Sequence, residues 1–154
     1  MSRWVALAAL VLSAVACGSA GTSSSPSPSS SPVVSKPASA AVFFKLNGVG
    51  TAKTSGTITV TTKPGSLTLE LKIKGLQGAS IHVSHIHVGS CAGHGNIKFA
   101  LNPVVADSQG NADAKSTLSV NFPPASGSWY VVVHVGPDMV GTNGQYLLCG
   151  NLFK

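Results

Sequence analysis

Apolar and polar residues alternate along most of the chain after residue 40, in short runs that Gly, Asn and Pro separate. The alternation is clearest in GTITVTT (56–62) and SLTLELKIKG (66–75), which the turn KPG joins. A period of two is typical of a strand with one buried face, and no stretch shows a convincing helical period. The fold predicted is therefore all-β, a Greek-key, immunoglobulin-like barrel or sandwich of about eight antiparallel strands. The strands are predicted at 41–47, 56–62, 66–75, 80–88, 97–101, 112–120, 128–136 and 146–152.

The first forty residues differ in composition from the rest of the chain. Arg3 and the apolar run that follows it predict a secretory signal over residues 1–16, which is too short to span a membrane. Cys17 directly follows small residues, which favours lipid attachment there and a tether on the outer face of a bacterial membrane. An ordinary cleavage site beside a bystander cysteine is the alternative. Residues 17–40, rich in Ser and Pro, predict a disordered linker, and 41–154 remain as one domain.

Charged residues are sparse. Lys and Arg together number ten, with Arg3 the one arginine, and Asp and Glu together number four. The lysines are scattered along the sequence, with no basic helix and no interleaved aromatic residues, so nucleic acid is not expected as a partner. A mildly positive surface would attract small anions or keep the protein soluble.

The three cysteines are interpreted through export. If Cys17 carries lipid, Cys91 and Cys149 remain, and two remaining cysteines in an oxidising compartment are expected to form a disulfide. Closing so long a segment would stabilise the fold by roughly 4 kcal/mol. Two free thiols that serve as metal ligands are the alternative.

The five histidines are unevenly distributed, because three of them lie within HVSHIHV. Alternation along that strand sends His85 and His87 to one face and His82 to the other. His134 lies near the end of another predicted strand, and His94 lies in the loop CAGHGN. A metal site is predicted that consists of His85, His87, His134 and His94. Four imidazoles favour copper over metals that prefer oxygen ligands. His82, on the opposite face, is expected to be hydrogen-bonded or to face the solvent.

Three motifs on these strands resemble those of the copper/zinc superoxide dismutase family. They are HIH-x-x-x-C beginning at His85, VVVHVGPDM around His134 and YLLCGNL around Cys149. Each motif alone would be weak, but the combination is specific, and the resemblance extends over nearly all of 41–154.

The resemblance implies a role for each matching residue. His85, His87 and His134 would bind copper. His94 is near the place of the family's histidine that bridges copper and zinc, and it would also carry protons in catalysis. Asp138 would accept the distal N–H of a ligand and fix its ring plane, with a β-turn role as the alternative. Cys91 and Cys149 would form the family's disulfide.

Two departures from the family pattern limit what the resemblance implies. Only GNIKFA separates His94 from Leu101, and it contains no His, Asp or Glu, so the family's zinc ligands are missing and zinc is not expected. Tyr146 stands where the family carries the arginine that guides superoxide to the copper.

The function implied by the resemblance is that of an exported, copper-only superoxide dismutase. It would be held at the cell surface by lipid and would convert superoxide into oxygen and hydrogen peroxide. The missing arginine and zinc ligands leave two alternatives open: a copper-binding or copper-delivery lipoprotein without turnover, or a chordin-type surface module with a vestigial metal site. The expected partners are superoxide and, through the lipid anchor, the membrane.

Overall fold

The structure, a computed structural model, describes residues 40–152. The predicted secretory signal, the lipid-attachment site at Cys17 and nearly all of the predicted linker lie outside the described residues. The described part contains ten strands and one short 3-10 turn, Gly141–Gly144, and none of its helical turns is long and apolar enough to cross a membrane. The strands are β1 (Ala41–Gly48), β2 (Ser55–Lys63), β3 (Ser66–Lys74), β4 (Ile81–His82), β5 (Ser84–Val88), β6 (Ile97–Ala100), β7 (Val104–Val105), β8 (Ala112–Leu118), β9 (Trp129–His134) and β10 (Tyr146–Asn151).

Eight of these strands form one antiparallel sheet in the order β6-β5-β9-β10-β1-β2-β3-β8, and the sheet curls into a half-barrel. The prediction of an all-β, antiparallel fold is confirmed. Asn102, which follows β6, links the two edges of the sheet, because its side chain donates to the Lys115 carbonyl of β8 at 2.7 Å. Its backbone N–H donates to Ser116 Oγ at 2.8 Å. Side-chain hydrogen bonds thus connect strands that the backbone ladder leaves unpaired.

The predicted strand 80–88 is two strands, which is the main difference from the sequence-based expectation. At Val83 the backbone N–H donates to the Gly136 carbonyl, and the Val83 carbonyl accepts from the His134 N–H. The chain leaves the large sheet at this point, and β4 pairs instead with β7 in a separate two-stranded sheet. The alternation of side chains continues across the break, so periodicity alone could not reveal it.

The inner face of the half-barrel carries the hydrophobic core. Every second residue of β3 from Leu67 to Ile73 is buried, and Ile58 and Val60 are the buried residues of β2; Ile58, Val60, Leu67 and Leu69 are fully inaccessible to solvent. Burial of one such side chain stabilises the fold by about 1.5–3 kcal/mol. The intervening Thr and Lys residues stay on the outer face, as period-two alternation requires.

Strand β9 is buried along its whole length because both of its faces are covered. Val131 and Val133 belong to the main core, whereas Tyr130 and Val132 belong to a second, small cluster. That second cluster also contains Cys149 of β10. The outer face of the sheet is therefore covered locally, and this cover encloses the histidines.

Cys91 and Cys149 form a disulfide, as predicted from the cysteine count. The bond joins the loop after β5 to β10, two strands away across the sheet. The alternative of two free thiols acting as metal ligands is wrong.

Candidate metal-binding site

Three of the predicted ligands meet on the outer face of neighbouring strands. Ile86 of β5 belongs to the main core, so the residues on either side of it, His85 and His87, point outward. Antiparallel pairing places Ser84 opposite Val133, which brings His134 at the end of β9 to the same end of β5. The three imidazoles each offer one nitrogen, and these atoms all lie within 4.8 Å of one another. Among the described residues this is the one group of three or more His, Cys, Asp or Glu side chains that could hold a metal ion.

The rings face one another closely. Their centroids are 5.1 Å apart for His85 and His134, 5.7 Å for His87 and His134, and 6.1 Å for His85 and His87. The first and last of these ring pairs meet edge to face, at interplanar angles of 68° and 77°. Nitrogens from three directions therefore converge on a shared space.

Backbone carbonyls fix the orientation of two of the rings. His87 Nδ1 lies 2.8 Å from the Gly95 carbonyl oxygen, and His134 Nδ1 lies 2.8 Å from the Gly144 carbonyl oxygen. A carbonyl oxygen can only accept, so each Nδ1 carries the proton and each Nε2 keeps a free lone pair. This is how ligand histidines are usually held, with the distal N–H donating to a carbonyl or carboxylate.

Three imidazole nitrogens in the cluster are buried and lack any hydrogen-bond partner in the protein. They are His85 Nδ1, His87 Nε2 and His134 Nε2. In the described residues just one other buried side-chain polar atom, Thr54 Oγ1, shares this condition. An unsatisfied buried polar group costs about 1–3 kcal/mol, so three at one point need a reason.

The surroundings keep two of the imidazoles, those of His85 and His134, neutral. Burial lowers the pKa of His85 to about 4, with smaller contributions from the neighbouring His134 and His87. Burial also lowers the pKa of His134, although the hydrogen bond to Gly144 opposes that shift. Neutral imidazole is the form that binds metal ions, so neither of these two rings has to lose a proton at pH 7 before an ion enters.

Two loops cover the cluster, and the first of them is held by tyrosines. The Gly95 N–H donates to Tyr130 Oη at 2.6 Å, while the Gly95 carbonyl accepts from His87. A Cβ on Gly95 would collide with the Val88 carbonyl oxygen, so only glycine fits here. Tyr146 Oη lies 3.0 Å from Tyr130 Oη, and burial, followed by that contact, raises the pKa of Tyr146. The phenol therefore stays protonated beside the imidazoles.

The second loop is closed by Asp138. Its Oδ1 accepts from the Val140 N–H at 2.8 Å and from Asn143 Nδ2 at 3.0 Å, and the first of these hydrogen bonds is the main reason that the Asp138 pKa is lowered. These contacts shape the turn that ends in Gly144, whose carbonyl orients His134. Asp138 thus has the alternative β-turn role, and backbone carbonyls orient the rings instead.

His94 lies outside the group of three. It is exposed, its φ of 43° is in the left-handed region, and its ring stacks on Tyr146 with centroids 4.7 Å apart and an interplanar angle of 5°. A left-handed backbone is uncommon for residues other than glycine, although His adopts it more often than most, and here it turns the loop so that the ring covers Tyr146. The structure does not bring this predicted ligand and proton carrier together with His85, His87 and His134.

His82 points away from the cluster, as the alternation predicts. It is buried, with Nε2 2.8 Å from Ser80 Oγ and Nδ1 2.9 Å from the His134 carbonyl oxygen. Both ring nitrogens therefore have partners, in contrast to the three histidines of the cluster.

Gly95, Gly144 and Tyr130 are the supporting residues that sequence reasoning missed. Two of them act through backbone carbonyls, which every residue has, so residue type carries little information about that role. A signal did exist at Gly95, because glycine beside a predicted ligand can mark a close backbone approach.

Comparison with known proteins identifies a family. A family model for the CHRD domain matches residues 22–136, and no curated protein matches the chain. The predicted membership of the superoxide dismutase family is therefore wrong. The superoxide dismutase activity, the oxidoreductase class and the copper cofactor lose the support that they drew from that resemblance. The motifs that suggested it are short segments on three neighbouring strands, β5, β9 and β10, whereas the family model matches most of the chain. CHRD domains occur in extracellular proteins, and the disulfide is consistent with export.

Proposed function

Because the chain belongs to the CHRD-domain family, we propose that it is an exported module that binds one transition-metal ion through His85, His87 and His134. The observation that supports this most directly is the set of three buried, unpartnered imidazole nitrogens. A bound cation would accept all three lone pairs at once and remove the cost of leaving them unsatisfied. The proposed role is binding or delivery of the ion.

The donor set indicates which ions to test. Three neutral imidazoles suit copper and zinc, and they do not suit magnesium or calcium, which prefer oxygen ligands. Among divalent first-row ions, affinity for nitrogen sites is highest for copper, so copper is the proposed ion and zinc is the comparison. The carbonyl-bonded His87 and His134 would present Nε2, and His85 would present Nδ1.

A surface location is the second part of the proposal. Cys17 would carry lipid, and the Ser/Pro-rich residues 17–40 would hold the domain away from the membrane. Detergent phase partitioning of the protein expressed in a bacterial host tests this. The wild type should enter the detergent phase, and the C17S variant should stay in the aqueous phase. Aqueous partitioning of both proteins would contradict the anchor.

Metal stoichiometry tests the binding role. The purified protein is stripped of metal, titrated with Cu(II) or Zn(II) in a calorimeter and analysed for metal after gel filtration. We expect one copper per chain in the wild type and in H94Q, whose ring lies outside the group, and loss of binding in H134Q. Circular dichroism of each variant checks that it is folded.

The family match supports the alternative of a chordin-type surface module, and the second candidate is such a module with a vestigial metal site. It predicts no retained metal in the folded wild type, or retention that H134Q leaves unchanged. Either result would replace the metal-binding proposal.

A further inference from the structure

Strands β1, β2, β3 and β8 present a second outward surface, which is distinct from the histidine cluster on β5 and β9. Alternate residues of these four strands enter the core, and the others point outward. Cross-strand pairing aligns the outward residues in rows, and we call this surface the lysine–threonine face. Its two central rows are, in strand order, Lys45, Thr57, Lys72, Asp113 and Phe43, Thr59, Glu70, Lys115.

Positive charge is concentrated on this face, although the lysines are scattered in sequence. Glu70 and Asp113 are its two carboxylates, and both pair with Lys72, at 3.4 and 3.6 Å. Five ammonium groups against two carboxylates leave a formal charge of +3. Apart from Lys72, the lysines of the face make no salt bridge with any described residue, so they are free to meet an external anion. The face holds five of the seven described lysines: Lys45, Lys63, Lys72, Lys74 and Lys115.

Hydroxyl groups fill the positions between the lysines. Thr57, Thr59 and Thr61 follow one another along the outer side of β2. On the adjacent pair of strands Thr68 Oγ1 lies 3.1 Å from Thr117 Oγ1. A hydroxyl can donate and accept at the same time, so such a ladder can exchange hydrogen bonds with a ligand rich in hydroxyls.

An exposed aromatic ring completes the face. Phe43 lies in the row next to Lys45 and is 69% exposed, which is a large apolar exposure in the midst of a polar surface. An exposed aromatic ring offers a flat platform against which an apolar ligand face can pack.

Two shallow depressions extend along the lysine–threonine face. Thr57 lines one and Thr59 lines the other, and these residues are neighbours on the outer side of β2. The larger, of about 480 Å³, is lined on its polar side by Lys45, Asn47, Ser55, Thr57, Lys72 and Lys74. The smaller, of about 200 Å³, is lined by Thr59, Thr61, Lys63, Thr68, Glu70 and Lys115.

We propose that the lysine–threonine face binds an acidic polysaccharide, a chain of hydroxyl-rich sugar rings that carry carboxylate groups. The free ammonium groups meet the carboxylates, the threonine ladder meets the sugar hydroxyls, and Phe43 packs against the apolar face of a ring. Charge complementarity, together with two depressions lined by neighbouring positions of β2, favours this ligand class. Single-stranded nucleic acid fits less well, because its binding faces stack successive bases on several aromatic rings, and Phe43 is the one strongly exposed aromatic residue of this face.

Binding to a short alginate oligomer tests the proposal, with a neutral dextran oligomer of similar length as the ligand control. The wild type should bind alginate and not dextran, and the affinity should fall as salt is raised. The variant pair K45Q and K74Q, combined in one chain, removes two lysines of the larger depression and should weaken binding about tenfold. The matched control combines K53Q and K98Q, which lose the same charge from residues outside the four strands of the face and should bind as the wild type does.

A second variant separates the ring from the charges. F43A keeps every lysine, so it should weaken alginate binding at high salt, where the ionic contribution is screened. Equal losses in the two double-lysine variants would overturn the proposal, because binding would then follow net charge alone. Equal binding of dextran, or binding to phosphatidylglycerol vesicles with none to alginate, would also overturn it. None of these measurements involves the histidine cluster, so they stand apart from the metal-binding proposal.

Discussion

Reduction of the Cys91–Cys149 disulfide is expected to remove a large part of the stability of the domain. The bond joins residues 58 apart in sequence. Chain-entropy reasoning assigns about 4 kcal/mol to closing a loop of that length. Net stabilities of single domains are roughly 5–15 kcal/mol, so the loss is substantial. With a slope of about 2 kcal/mol per M, the urea midpoint should fall by about 2 M.

The same bond also supports the proposed metal site. It attaches the loop between β5 and β6 to β10, and that loop supplies the Gly95 carbonyl that accepts from His87. A second attachment survives reduction, since the Cys91 N–H donates to Asn151 Oδ1 at 2.9 Å. Reduction should therefore weaken the orientation of the His87 ring without abolishing it. Metal affinity should fall about tenfold, as when a residue that orients a ligand is lost.

Urea unfolding followed by tryptophan fluorescence measures the stability of the oxidised protein, the reduced protein and the double variant C91S/C149S. The last two should agree, and reductant should leave the midpoint of the double variant unchanged. Oxidised and reduced midpoints within about 0.3 M of each other would refute the reasoning, because the cross-link would then contribute almost nothing to the folding free energy.

Three further predictions concern the glycine loop, the pH dependence of stability and the core. G95A should lower copper affinity about tenfold, because its Cβ would displace the Val88 carbonyl and the loop with it, whereas G93A should bind normally; equal affinities would contradict the orienting role. Because the pKa of His85 is about 4 when folded and 6.5 in the reference state, the unfolded chain binds more protons between these values, so metal-free protein should lose about 1–2 kcal/mol of stability as pH falls from 6.5 to 4. The urea midpoint should depend less on pH across that range in H85Q, and an identical pH dependence would exclude His85 as the cause. I58A should cost about 2–5 kcal/mol in urea unfolding, against less than about 0.5 kcal/mol for the half-exposed V42A, and similar costs would contradict the assignment of the inner face.

The strands could be predicted well wherever alternation is tied to a single buried face. The prediction for 56–62 differs from β2 by one residue at each end. Prediction failed where hydrogen bonding rather than side-chain period decides the path of the chain. Val83 continues the alternation of 80–88 while its backbone bonds to the end of β9, and β7 has only two residues, too few to register as a pattern.

The candidate site was predictable in part, for a similar reason. Alternation placed His85 and His87 on one face, and the strand containing His134 proved to be their neighbour. The carbonyls of Gly95 and Gly144 could not be anticipated, because a backbone acceptor leaves no trace in residue type. The wrong family followed from motifs that occupy short segments of three strands, β5, β9 and β10.

The central claim is that three imidazoles from two strands share one ion. X-ray absorption spectroscopy of copper-loaded protein counts imidazole ligands directly. Three imidazole nitrogens at about 2.0 Å in the wild type, reduced to two or fewer in H134Q, are the predicted result. A wild-type spectrum with one imidazole or none, or one that H134Q leaves unchanged, would contradict the account.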